Sequence, residues 1–216
     1  MPTSSDAGQP QPVGNGCPPN SGKIPAGARQ VTTADLDLDG AADTLWLADV
    51  GSKRTIGVRT ATGATFSTTF QSAAPQGARA IGQKLESAGP SIVLLNTGRS
   101  VLLYDVADCA IVPVKNPQGA QYTFDLGFTG YGTGVDCVRT GAGYTLAGLL
   151  ATPENSANVA YTISRTKIVL SDFGRHAANG EKSIVATHVT NTSAAFQQAH
   201  SVSCGTPSSV VTEPQP

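Results

Sequence analysis

Short apolar runs broken by Gly, Pro, Asn and Asp dominate the chain, and they fall into three units that align with one another. In the first, Gly27-Ala28-Arg29-Gln30-Val31 is followed by a loop over Asp35 to Asp43 and then by Thr44-Leu45-Trp46-Leu47. In the second, Gly77-Ala78-Arg79-Ala80-Ile81 precedes a turn through Ser87-Ala88-Gly89-Pro90 and the run Ile92-Val93-Leu94-Leu95. The third, weaker unit has Gly134-Val135-Asp136-Cys137-Val138, a turn at Thr140 to Gly143, and Tyr144 to Leu149. A repeat of this kind, with a period of about 50 residues, points to a modular fold.

Each hairpin is followed by two more strand-like stretches bounded by turn residues. They are Thr55 to Arg59 and Ala64 to Phe70; Ser100 to Tyr104 and Ala110 to Val114; and Val159 to Arg165 and Lys167 to Ser171. About four short strands per unit is the blade pattern of a β-propeller. The expected fold is therefore all-β and propeller-like, with about three four-stranded blade-type repeats; a β-sandwich is the alternative. Either Gln121 to Leu126, Lys182 to His188 and Ala194 to Cys204 complete further sheet, or the architecture is propeller-like without being a standard ring.

Composition agrees with short strands and excludes several functions. With 24 glycines and 14 prolines in 216 residues, long helices are not expected. Charged residues make up 13% of the chain, about half the usual share of a globular domain. The net charge of -1 comes without Lys/Arg clusters, which argues against nucleic acid as a partner. No apolar run approaches the roughly 20 residues of a membrane-spanning helix. Residues 1–26 and 206–216 are rich in Pro, Ser and Gln and read as a flexible N-terminal linker and C-terminal tail around one domain, 27–205. The first sixteen residues contain no apolar stretch of a signal peptide, and such flanks suit a domain cut from a longer anchored protein.

Four cysteines, Cys17, Cys109, Cys137 and Cys204, stand apart from one another and from any zinc-finger spacing. They are expected to form two disulfides in an oxidising, extracytoplasmic compartment. Of three possible connectivities, Cys109 with Cys137 and Cys17 with Cys204 is favoured, the first as a local pair and the second as a tie between the ends.

The sharpest motif is Asp35-Leu36-Asp37-Leu38-Asp39-Gly40-Ala41-Ala42-Asp43. Alternate carboxylates in a tight loop can converge on one hard cation, and their number suits Ca²⁺. Gly40 permits a turn that returns Asp43 to the ion, with the Ala41 carbonyl as a backbone ligand. Without a cation the carboxylates would repel and raise one another's pKa. An EF-hand needs a Glu at the twelfth position, where this chain has Trp46. The competing reading is an acidic turn held by Asx-type hydrogen bonds.

DxDxDGxxD leading into a strand, inside a blade-length repeat, resembles the FG-GAP and VCBS-type repeats of integrin-like β-propellers. The resemblance implies Asp35, Asp37, Asp39 and Asp43 as side-chain ligands and Ala41 as a backbone ligand. The family's Phe-Gly and Gly-Ala-Pro signatures are absent as such, Ala74-Pro75-Gln76-Gly77 being a loose echo. Units two and three carry Lys84-Leu85-Glu86 and Arg139-Thr140-Gly141 in place of the acidic loop, so one structural calcium is expected.

No nucleophile elbow, HExxH or phosphate loop occurs. His176, His188 and His200 fit no local metal spacing, and Asp125 and Asp172 read as turn residues. Gly127 to Gly134 reads as a flexible loop or blade turn, and Trp46 as core. The expected function is a non-enzymatic extracytoplasmic recognition or interaction domain, secreted or exposed by a membrane-anchored protein. The resemblance implies a protein or carbohydrate ligand at the cell surface. An envelope-associated hydrolase or carbohydrate-binding module and a membrane-protein sensor domain are the alternatives.

Overall fold

The computed structural model describes residues 16–74, 76–86, 89–141, 143–205 and 210–214. The linker and tail residues 1–15, 206–209 and 215–216, and Pro75, Ser87-Ala88 and Ala142 of the expected echo and turns, lie outside them.

Three antiparallel sheets follow one another along the chain. The first contains β1 (Arg29–Thr32), β2 (Thr44–Val50), β3 (Lys53–Arg59) and β4 (Thr65–Thr69) in that order. The middle sheet has β5 (Arg79–Lys84), β6 (Ser91–Asn96), β7 (Ser100–Ala107) and β8 (Ala110–Pro113), with β9 (Thr123–Asp125) also paired to β7. The third has β10 (Gly134–Thr140), β11 (Gly143–Pro153), β12 (Tyr161–Ser171) and β13 (His176–Val189). None of the sheets is closed into a barrel. Tight hairpins set the registers. Gly51 and Ser52 join β2 to β3, and Asp108 and Cys109 join β7 to β8, all at positive φ; such paired left-handed residues match the natural strand twist.

The middle sheet is covered on both faces. Val93 and Leu95 pack with Leu45, Leu47, Ile56 and Val58 of the first sheet. Their neighbours Ile92 and Leu94 pack with Val135, Cys137, Leu146 and Ile168 of the third. Successive strand residues point to opposite faces, so a strand apolar at every position, as Ile92 to Leu95 is, must lie between two layers. Trp46 points the other way from Leu45 and Leu47, is 2% exposed, and packs against Gly57 across the β2–β3 pair.

Four sequence expectations are corrected. Val159–Arg165 and Lys167–Ser171 are not two strands: Tyr161–Ser171 is one, whose register shifts disturb the alternation that a continuous strand would show. Its partner is the 14-residue β13, which contains Lys182–His188, so that segment is sheet but not a separate strand. Ala194–Cys204 is not sheet; Ala194–Ala199 forms helix α1, whose cap Ser193 accepts the Phe196 N–H at 3.2 Å. The tail is structured in part, because Val210–Thr212 form β14 against β5 and Glu213 binds Arg54 and Ala78. Likewise the expected linker is tied down from Cys17 onward, and Asn20 brackets the Thr65 backbone through both its amide atoms.

The disulfide connectivity also differs. All four cysteines are paired, as Cys17–Cys109 and Cys137–Cys204. Cys109 occupies the β7–β8 turn at an end of the middle sheet, whereas Cys137 lies within β10 in the core between the middle and third sheets. Nearness in sequence therefore did not bring them together. Two disulfides in one chain fit a non-cytosolic, oxidising compartment. Among the described residues no helix is long and apolar enough to cross a membrane.

Candidate metal centre on the first hairpin

The acidic segment joins β1 to β2. Backbone pairing continues beyond β1, with Thr33 N–H on the Asp43 carbonyl at 2.8 Å, and Leu36 is buried in the cluster between the first and middle sheets. Burying such a leucine is worth about 2 kcal/mol, which anchors the loop by its apolar residue while Asp35, Asp37 and Asp39 on either side of it stay half-buried. Leu38 and Gly40 take positive φ values of 64° and 93°, folding the segment so that alternate carboxylates meet.

Carboxylate oxygens of Asp35, Asp37 and Asp39 lie within 4.8 Å of one another. Asp35 Oδ1 accepts the Asp39 N–H and Oδ2 the Gly40 N–H, both at 3.1 Å. Asp39 Oδ1 accepts the Ala41 N–H at 2.7 Å. Asp37 Oδ2 accepts the Cys17 N–H at 2.7 Å, while its Oδ1 is buried with no hydrogen-bond partner among the described residues. One countercharge is present: Lys84 Nζ lies 2.7 Å from Asp35 Oδ2.

Asp43 stands outside this group of three. Its Oδ2 accepts the Leu36 N–H at 2.7 Å and its Oδ1 the Ala61 N–H at 3.0 Å. Burial, ahead of the charges of Asp37 and Asp39, pushes its carboxyl up to about 6 against those two hydrogen bonds. Burial likewise pushes Asp37 up; the Cys17 N–H opposes the shift and the Asp39 and Asp35 charges add to it. Mutual repulsion, expected from the sequence to be the main cost, thus acts behind desolvation.

Other singled-out residues are spread over the fold. His176 faces Asp172 and His188 faces Glu154, each at 3.6 Å, and His200 Nδ1 lies 2.9 Å from the Phe196 carbonyl. Asp125 is a turn residue, its carboxylate accepting N–H groups from the loop that follows. Two features of the site lay beyond sequence reasoning. Lys84 arrives from β5 through the packing of two sheets, and Cys17 through a disulfide; neither carries a local signal. No family model, curated protein or solved structure matches the chain.

Proposed function

We propose that this chain is a non-enzymatic extracytoplasmic recognition domain whose first hairpin is held by one structural Ca²⁺. Asp35, Asp37 and Asp39 supply side-chain oxygens and Ala41 a carbonyl, while Asp43 clamps the loop backbone from within. The observation that carries the reading is the convergence of three carboxylates with one buried Asp37 oxygen unpartnered. A buried anionic oxygen without a donor is costly, and a hard cation removes that cost while offsetting the charge that Lys84 leaves over. In this reading Ca²⁺ fixes the loop, and adjoining loops keep the shape that a surface ligand meets.

Two four-stranded meanders, and a third run of four strands within the six-stranded middle sheet, support a blade-type, propeller-like arrangement of the FG-GAP and VCBS kind. The middle sheet, covered on both faces, favours a stacked sandwich as the second reading.

Calcium titration of chelator-treated protein should give one site per chain. Chelator should lower the melting temperature of the wild type and leave the double variant Asp37→Ala, Asp39→Ala unchanged; at a free concentration 100 times Kd the ion adds about 2.7 kcal/mol. An equal response of both proteins would sink the metal reading. Recognition is tested by retention of the intact protein on immobilised cell-surface polysaccharides and proteins: saturable retention weakened by chelator is expected, and no retention on any of them overturns it.

A further inference from the structure

An open groove of about 490 Å³ lies between β9 of the middle sheet and β11, β12 and β13 of the third. Its rim is the loop after β9, which Asp125 holds in shape. Asp125 Oδ1 accepts the N–H groups of Phe128 and Thr129 at 3.0 and 3.1 Å, and Oδ2 those of Thr129 and Tyr131, both at 3.0 Å. On this pinned loop the Phe128 and Tyr131 rings stand 64% and 87% exposed. Two large apolar faces left in water on an ordered loop cost free energy and mark an interaction site.

The rest of the lining is cationic and polar. The Arg99 guanidinium carbon lies 5.5 Å from the Phe128 ring centroid, within cation–π range. Lys182 and Asn179 come from β13. The Tyr122 hydroxyl donates to Asn179 Oδ1, which leaves the Asn179 NH₂ as a donor. Among the described residues neither Arg99 nor Lys182 is in an ion pair; the Asp125 carboxylate also lines the groove, and its oxygens are engaged by the loop's backbone N–H groups, which hold it ionised.

We propose that this groove binds an acidic oligosaccharide, with a sugar face stacked on Tyr131 and Phe128 and a uronate carboxylate held by Arg99 and Lys182. The inference rests on the recognition reading and names its ligand class. Flat rings beside amide and hydroxyl groups suit a pyranose, which offers a C–H face and a polar rim. Of the aliphatic liners, Leu149 and Ile168 are buried at the floor of the groove and Leu150 is half-buried, so the exposed apolar surface of the groove is chiefly the Phe128 and Tyr131 rings. Two cations, Arg99 and Lys182, against the one carboxylate, Asp125, whose oxygens already face backbone N–H groups, favour an anion.

Isothermal titration of the intact protein with tetragalacturonate, its methyl ester and hexaglutamate tests this. The acid form should bind at least about tenfold more tightly than the ester. Tyr131→Ala should weaken binding about tenfold through lost stacking. Arg99→Gln with Lys182→Gln should erase the preference for acid over ester, and every variant should keep the wild-type melting temperature because these side chains are exposed. Equal binding of acid and ester, no binding of tetragalacturonate, or an unchanged affinity in Tyr131→Ala overturns the inference. Preferential binding of hexaglutamate overturns it too, by assigning the groove to an acidic peptide, and leaves the recognition reading standing.

Discussion

The Cys17 N–H donates to Asp37 Oδ2 at 2.7 Å, so the residue that closes one disulfide also positions a carboxylate of the candidate metal centre. The Thr62 hydroxyl donates to the Cys17 carbonyl at 2.5 Å and holds the same residue from the other side. Covalent and electrostatic restraint thus meet at one point of the first hairpin.

Separating the two disulfides should separate their effects. Cys17→Ser with Cys109→Ser should weaken calcium binding about tenfold, the usual scale for losing a group that orients a ligand. Cys137→Ser with Cys204→Ser should lower stability by about 4 kcal/mol with calcium affinity unchanged. Titration and thermal melts of both pairs decide; equal calcium affinities would uncouple Cys17 from the site.

The C-terminal strand should matter to stability. Glu213 is buried and accepts hydrogen bonds from Arg54 Nε at 2.8 Å and the Ala78 N–H at 2.8 Å. Burial pushes its carboxyl up, but the Arg54 hydrogen bond and charge and the Ala78 N–H outweigh this and hold it below the usual range. Its stabilising contribution is therefore present above the unfolded-state pKa and lost as pH falls through the lower folded value. Glu213→Gln should cost about 3 kcal/mol at neutral pH, as expected for breaking a buried pair, and should flatten the loss between about pH 5 and pH 3. Denaturant melts across that range check it; parallel curves for the two proteins would refute the assignment.

Asp105 should act with the opposite sign. It is 1% exposed on β7, and neither carboxylate oxygen has a hydrogen-bond partner among the described residues. Burial pushes its carboxyl up to about 7, against the Arg175 charge and the Val106 N–H and with the Asp108 and Asp172 charges. The folded state then holds a proton that the unfolded state has released, so stability falls as pH rises from about 4 to about 7. Asp105→Asn should remove that slope and raise stability above pH 7 by about 2–4 kcal/mol. Melting temperatures of the two proteins at several pH values test the sign.

Gly57 leaves room for the only tryptophan. A Cβ built there would lie 2.0 Å from Trp46 Cζ2 and 2.1 Å from Cε2. Gly57→Ala should destabilise by about 3 kcal/mol through overpacking, with a change in Trp46 fluorescence. A neutral effect in chemical denaturation would mean that the ring has somewhere else to go.

Local chemistry explains why much of this fold could be read from the chain. Ile92 to Leu95 reads as a short apolar strand, and the structure shows why every position is apolar: it is covered on both faces. Where alternation failed, so did the reading: the shifted register of Tyr161–Ser171 hid one long strand, and Ala194–Ala199 carried its helix signal in the Ser193 cap rather than in any apolar stripe. The acidic loop was visible because its ligand candidates alternate within nine positions of the chain. Asp43, though it completes the motif, faces inward to the Leu36 and Ala61 N–H groups, and a one-dimensional spacing does not distinguish an oxygen turned to an ion from one turned to the backbone.

By itself the sequence determined the all-β character, the first hairpins and the place where carboxylates crowd, since strand alternation, turn residues and a charged loop act over a few residues. Tertiary structure alone decided that Cys17 joins Cys109, that Lys84 reaches Asp35, that Val210–Thr212 complete the middle sheet, and that Arg99 and Lys182 line one groove with Phe128 and Tyr131. These pairings join residues far apart in the chain, and they are set by which sheet faces bury against each other, a property of the packed whole.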